Sequence, residues 1–269
     1  TRRRRLRGLL VRASKSYIII VIVGVLIGLQ VAPVVTDLTA GTTTGTVAVV
    51  PIEGGITGAS AAEVGAMLER ARKDPEVKAV VLRVNTPGGS APASETLYME
   101  VSRTAEEMPV VASVGAMSAS GGYYAMAPAD QIYVKPAGLI GNVGVIFTAP
   151  IALDPIDQII TTGPNKLTGA DQREWEYKVE SLRRAFVGAV VESRGDRLDI
   201  SAAEISHGKL YTGGEAVQNG MADEIGSLND AIRRAADEAG IESYDVKVMQ
   251  RDGEVFLGHS VTKHKECSD

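Results

Sequence analysis

The feature that most constrains the fold is a series of short, nearly continuous apolar runs: Val47–Ile52, Ala79–Val84 and Val110–Val114 begin about 30 residues apart, the length of one β-α-β unit. Val- and Ile-rich runs without polar alternation suit strands covered on both faces. Between the first two, Val64, Met67, Leu68 and Ala71 recur at helical spacing, and Asp74-Pro75 ends that period because the residue before a proline is driven out of the helical region. Ser94–Glu107 reads as a second helix ahead of the third run. Parallel strands joined by right-handed helical crossovers are the economical topology for that order, so the fold class is α/β. Gln131–Val134, Val143–Phe147 and Gln158–Thr162 are further strand candidates.

Downstream, Trp175, Val179, Leu182, Phe186 and Val190 form one apolar stripe, with Glu180, Arg183 and Arg184 off it, which predicts a long amphipathic helix. Arg194-Gly-Asp196 reads as its end and a turn. Ser201-Ala-Ala-Glu204 and Ser227-Leu-Asn-Asp230 have capping-box spacing, the second leading into an Ala/Arg-rich run closed at Gly240. Residues 253–269 carry no motif and read as a polar tail.

Ahead of the first strand, Tyr17–Val34 is apolar except for Gln30, and at about 1.5 Å per residue these 18 residues can cross a hydrocarbon core. Seven basic residues and no acid precede the run within the first fifteen positions. Arg and Lys stay preferentially on the cytoplasmic side, so the expectation is a single-pass anchor in the cell membrane with the folded body outside the cytosol. A cleaved signal peptide shares this order of charge and apolarity but has a shorter apolar core. The expected division is a basic segment 1–16, an anchor 17–34, a linker 35–45, a folded domain 46–250 and a tail 251–269.

Several functions are excluded. The basic cluster leaves the rest of the chain at −12 against −5 overall, so no nucleic-acid partner is expected. The single cysteine, Cys267, permits no intrachain disulfide and no CxxC site. No phosphate loop, dinucleotide fingerprint, HExxH or EF-hand pattern occurs, and no cofactor or metal is expected. The three histidines, His207, His259 and His264, lie at a helix end and in the tail, poor places for the base of a Ser-His-Asp triad, and no G-x-S-x-G elbow is present.

Two glycine-rich turns follow strands instead: Asn85-Thr-Pro-Gly88-Gly89 and Ser118-Ala-Ser120-Gly121-Gly122-Tyr123-Tyr124. In a parallel α/β sheet, ligands and free backbone N–H groups gather at strand C-terminal ends. Glycine pairs let backbone approach a reacting carbonyl, and two N–H donors aimed at one oxygen make an oxyanion hole. Tight turns alone would use the same residues.

The blocks NTPGGSAPASE, GAMSASGGYYAMAPADQIYVKPAGLIGNVGV and GKLYTGGEAVQNGMADEIG resemble the signal peptide peptidase A family over roughly residues 47–240. That family consists of Ser-Lys serine proteases of the ClpP/crotonase-like, repeated β-α-β fold. The resemblance implies Ser120 as nucleophile, the N–H groups of Gly89 and Gly121 as oxyanion donors, and Lys166 in TTGPNKL as general base. It implies signal peptides or other apolar peptides as substrates, and homo-oligomers whose Ser-Lys sites form across subunit boundaries. Where the family commonly carries T-G-S-x-G-V, with a hydroxyl that orients the lysine, this chain has Ile140-Gly141-Asn142-Val143-Gly144-Val145, so Asn142 takes that place and can accept from the amine.

A lysine base is chemically coherent. A hydroxyl needs its proton removed, and a neutral lysine can take it if burial lowers its pKa. Bringing that pKa from about 10.4 to about 7 costs about 4 kcal/mol, which demands a dry site. Lys166 has no acid nearby in sequence before Asp171. Lys135, Lys178 and Lys209 are rivals that read as solvated charges, and Ser118 is a rival to Ser120 that reads as a turn residue. Competing functions are a crotonase-type acyl-thioester enzyme on the same fold, a non-catalytic membrane-anchored assembly protein, and a stomatin-associated protease of the same superfamily.

Overall fold

The computed structural model describes residues 43–148, 162–251 and 253–262, which form one unit from Thr44 onward. The anchor, most of the linker, Cys267 and all but the last residue of the Gln158–Thr162 candidate strand lie outside the described residues. Among the described residues no helix is long and apolar enough to cross a membrane.

The α/β expectation is met. β1 (Thr44–Glu53), α1 (Gly58–Lys73), β2 (Val77–Thr86), α2 (Ala91–Glu107) and β3 (Val110–Ala119) follow in order, with β1–β2 and β2–β3 parallel. Asp74 caps α1 in extended conformation, as its place before Pro75 requires. The first strands are buried on both faces. Ala48, Val50, Val80 and Leu82 belong to one apolar cluster, while Val47, Val49, Ala79 and Val81 belong to a second. The period of two therefore divides each continuous run between two cores. α1 and α2 supply Leu68 and Leu97 to the first cluster, and α7 (Leu228–Glu238) supplies Ala231 and Ala235 to the second.

β3 runs five residues beyond the expected Val114, and that extension organises the site. Its first half pairs with β4 (Gln131–Val134) and its second half with β5 (Leu139–Gly141), both parallel. The sheet also takes up strands with weaker sequence signals: β6 (Leu210–Thr212) antiparallel to β5, β7 (Glu224–Ile225) beside β4, and β8 (Ser243–Gln250) parallel to β1. β9 (Gly253–Thr262) pairs antiparallel with β8, so the first part of the expected polar tail is an edge strand.

Val143–Phe147 is not a strand. The chain leaves β5 through Gly141 and Asn142, both at positive φ (106° and 54°), which takes the following residues off the β3 ladder and leaves them no hydrogen-bonding partner strand. Ile146 is 98% exposed, and Phe147 stacks on Trp175 with ring centroids 4.3 Å apart.

The long amphipathic helix is α4 (Gln172–Arg194), begun by a capping box from Asp171 to Glu174. Only the second half of its apolar stripe enters the core: Phe186 and Val190 are buried, whereas Leu182 is 47% exposed. Its last residue, Arg194, is fully buried, and Gly195 ends the helix at φ 51°. The Arg194 guanidinium grips both carboxylate oxygens of Asp223 at 2.8 and 2.9 Å and donates twice to the Gly220 carbonyl. Asp223 also accepts from the Ile132 N–H at 2.7 Å, so one part-buried carboxylate ties the end of α4 to β4. The Arg-Gly-Asp sequence is thus a helix end, as its pattern indicates. Of the two sequence caps, Ser227 and Asp230 make the full reciprocal box at the start of α7. Ser201 accepts from the Glu204 N–H ahead of α5 (Ala202–Ile205) without the return bond.

Candidate active site

At the end of β3 the chain turns sharply at Ser120 into α3 (Gly121–Met126). Ser120 has φ 50° and ψ −124°, a region that costs a residue with a side chain about 1–3 kcal/mol. Among the described residues only Ser120 and Asn142 combine a side chain with positive φ. They meet through one strand pairing: the Ser120 N–H donates to the Gly141 carbonyl at 2.8 Å, and Asn142 follows directly. The Tyr124 N–H donates back to the Ser120 carbonyl at 3.0 Å, fixing the turn from the helix side.

Ser118 is fully buried within β3, and its hydroxyl donates to the Met126 sulfur at 3.3 Å. It sits in the strand rather than the turn, and it is shut off from solvent. Ser120 is partly exposed and lines a groove of about 300 Å³.

The second glycine turn comes alongside. The Ile56 N–H donates to the Gly88 carbonyl and the Ser90 N–H to the Ile56 carbonyl, which pins Gly89 against Ile56. That contact excludes any side chain at Gly89, since a Cβ there would lie 2.0 Å from the Ile56 carbonyl oxygen. Gly88, at φ 97°, packs so near Ser120 that a Cβ would come within 2.9 Å of the serine Cβ. The Gly89 nitrogen lies 3.4 Å from the position a Cβ would take on Gly121. Neither the Gly89 nor the Gly121 N–H is used in a backbone hydrogen bond among the described residues. A hydroxyl on a strained turn beside two unspent N–H donors is an arrangement suited to acyl transfer.

Asn142 is exposed; its backbone N–H donates to the Lys209 carbonyl at 2.7 Å and its side-chain amide to the Gly208 carbonyl at 2.8 Å. Its side-chain oxygen accepts no hydrogen bond among the described residues. Lys166 lies in the turn preceding α4, exposed, its N–H donating to the Gly163 carbonyl, and it is not one of the groove-lining residues. The other lysines are occupied or remote: Lys178 lies over the Trp175 ring at 5.6 Å, Lys209 is 3.8 Å from Glu204, and Lys135 is exposed after β4 beside a separate hollow. His207 is exposed after α5. Among the described residues no cluster of His, Cys, Asp or Glu could hold a metal ion.

The groove also contains residues the sequence did not single out. Tyr124 stacks between Tyr98 (4.9 Å) and Phe186 (4.7 Å), so the rim is built jointly by α2, α3 and α4. Burial, with Glu95 and Tyr98 nearby, raises the Tyr124 phenol above its ordinary pKa. The doubled tyrosine after the glycine pair was the available signal: Tyr123 goes fully inward, donating to the Met221 carbonyl at 3.0 Å, which leaves Tyr124 for the groove.

With this geometry in place, the relatives are informative. The chain is 32% identical over 200 residues to Protease 4 of Salmonella typhi, covering 69% of this chain and 32% of that protein. It is 29% identical over 181 residues to the putative signal peptide peptidase SppA of Enterococcus faecium, covering 61% and 52%. The chain thus spans about a third of the first relative and about half of the second. Among solved structures, a lysine-to-alanine mutant of the membrane-bound stomatin-specific protease 1510-N, in complex with a substrate peptide, matches with a TM-score of 0.57 at 17% identity, over 77% of this chain and 93% of that one. This likeness is one of fold. The profile of Peptidase family S49 matches residues 102–242, just over half of the chain and inclusive of the Ser120 turn, and the chain belongs to that family.

Proposed function

We propose that the protein is a membrane-anchored serine endopeptidase that cleaves remnant signal peptides or other apolar peptides through an acyl-enzyme. The observation that carries this reading is the strained, groove-facing Ser120 beside the free N–H groups of Gly89 and Gly121. In the first step the Ser120 oxygen attacks the scissile carbonyl, its proton passes to Lys166, and the two N–H groups receive the developing oxyanion. The lysine then returns the proton to the leaving amine. Water, deprotonated by the same group, hydrolyses the ester and restores the serine. Asn142, with its side-chain oxygen unused, is the residue proposed to hold the lysine amine.

Lys166 is exposed in the single chain, and a neutral lysine needs desolvation. A neighbouring subunit packed over the site supplies it in this proposal, and Tyr177, 74% exposed in the front half of α4, offers an apolar contact for such packing. The basic flank and apolar run of residues 1–34 support anchoring with the folded body outside the cytosol.

A fluorophosphonate probe tests the central claim, because it forms a covalent bond only with an activated serine. Labelling of the wild type and none of Ser120→Ala is expected. Equal labelling of both, or peptide cleavage by the variant at the wild-type rate, would sink the reading. The acyl-thioester alternative requires no serine nucleophile and predicts no dependence on Ser120.

A further inference from the structure

The groove beside Ser120 is apolar along most of its lining, with Pro92, Leu182, Ala185 and Phe186 among its walls, yet among the described residues it contains one charged side chain, Glu95. Glu95 stands in the second turn of α2, off the face that buries Ser94, Leu97 and Val101. It makes no hydrogen bond or ion pair among the described residues, and no Lys, Arg or His shares the groove lining. By contrast, Glu69, Glu100, Glu180 and Glu238 each hold a Lys or Arg on their own helix. Next to Glu95 is the Tyr124 ring, packed against Phe186.

An apolar groove whose lining includes an unpaired carboxylate and an aromatic ring suits a long aliphatic stem tipped by a cation. The methylenes lie against the apolar walls, and the ammonium or guanidinium meets the carboxylate and the edge or face of Tyr124. A purely apolar side chain would fill the same walls and leave Glu95 solvated.

We propose that Glu95 is a specificity-determining residue that selects Lys or Arg, over apolar side chains of equal length, at the substrate position entering this groove. The inference rests on the peptidase reading for its substrate class and deepens it by adding a charge preference.

The test uses the full chain and two matched fluorogenic peptides that differ at one position, lysine against norleucine, which has nearly the same stem without the charge. A groove open to solvent screens such a pair, so the expected wild-type preference for lysine in kcat/KM is about three- to tenfold. Glu95→Gln should bring the ratio to about one, and Glu95→Lys should invert it. A Lys-to-norleucine ratio that is the same in wild type, Glu95→Gln and Glu95→Lys would overturn the proposal. Fluorescence anisotropy of the same peptides on Ser120→Ala, with and without Glu95→Gln, separates binding from chemistry. A Glu95-dependent lysine preference in binding without cleavage by the wild type would remove the peptidase reading and keep the cation site. Equal binding of the two peptides, or binding of neither, would remove the site.

Discussion

A Cβ on Gly121 would stand 2.0 Å from the Ser94 Oγ and 2.9 Å from the Ser94 Cβ. Ser94 is 1% exposed on α2, and its hydroxyl donates to the Ser90 carbonyl at 3.0 Å, so it has nowhere to retreat. Turning the Ser94 side chain to another rotamer would relieve the oxygen and leave the carbon. The glycine after Ser120 is therefore required by the packing of α2 against the turn, and the same contact brings Gly121 and Gly89 together.

Gly121→Ala is expected to lose about 1–3 kcal/mol of stability through overpacking. Peptide cleavage should fall with it, because the displaced backbone carries the N–H proposed to receive the oxyanion. Adding Ser94→Gly removes both clashing atoms. The double variant should be more stable than the sum of the single changes by at least about 0.5 kcal/mol, which denaturant titrations of the four proteins can measure. Strict additivity would show that the clash is relieved elsewhere.

The Arg194–Asp223 pair makes a separate prediction about stability. Removing the buried guanidinium leaves the part-buried Asp223 carboxylate with only Arg197, 3.9 Å away, so Arg194→Met should cost about 2–3 kcal/mol, below the range for a fully buried orphan charge. Asp223→Asn in that background neutralises the orphan while keeping an oxygen for the Ile132 N–H, and should return part of the loss. An unfolding free energy for Arg194→Met, from chemical denaturation, within about 1 kcal/mol of the wild type would contradict this account.

Lys166 is the proposed base, and its chemistry separates it from a mere positive charge. Lys166→Ala should abolish cleavage, whereas Lys135→Ala and Lys178→Ala should stay largely active, since one sits beside another hollow and the other over Trp175. Lys166→Arg keeps the charge but cannot release its proton near neutral pH. Wild-type rates from that variant would exclude a neutral-lysine mechanism.

Membrane orientation is open to direct measurement. With seven basic residues ahead of the apolar run and no acid among them, a reporter fused after Asp269 should be active outside the cytosol and silent within it. Digestion of the folded body by protease added to cells with a permeabilised outer layer should agree. A reporter active only in the cytosol would reverse the orientation.

The central strands were legible because each buries both faces, which leaves an unbroken run of Val and Ile, whereas β8 alternates Tyr244, Val246 and Val248 with polar residues and sits nearer the edge. Val143–Phe147 carries the composition of a strand and is not one, because the positive φ values at Gly141 and Asn142 remove it from its ladder, and no local pattern announces that. The Ser120 turn was visible through its glycines. Glu95 was not, since a carboxylate on an amphipathic helix looks like any solvated charge until α4 is seen to close the groove beside it. The stripe on α4 was legible as apolar, but how far it is buried was not: Phe186 and Val190 enter the core, whereas Leu182 is 47% exposed.

The exposure of Tyr177 on α4 bears on assembly, the last expectation. A lysine exposed on one chain can be desolvated by a second, and if each site joins Ser120 of one subunit to Lys166 of its neighbour, activity requires the oligomer. Ser120→Ala and Lys166→Ala subunits should each be inactive alone. Mixed before assembly, they should regain activity wherever an intact serine faces an intact lysine. Random association of equal amounts in a ring makes about one boundary in four competent, so about a quarter of the wild-type rate is the expected ceiling. Substituting Tyr177 by Glu should weaken assembly and activity together, as it is an exposed aromatic residue on the helix proposed to be covered. If the mixture stays silent while each variant assembles as the wild type does, serine and lysine belong to the same chain. If dilution to the monomer leaves the rate per chain unchanged, no neighbour is needed, and the lysine must then be desolvated within its own subunit.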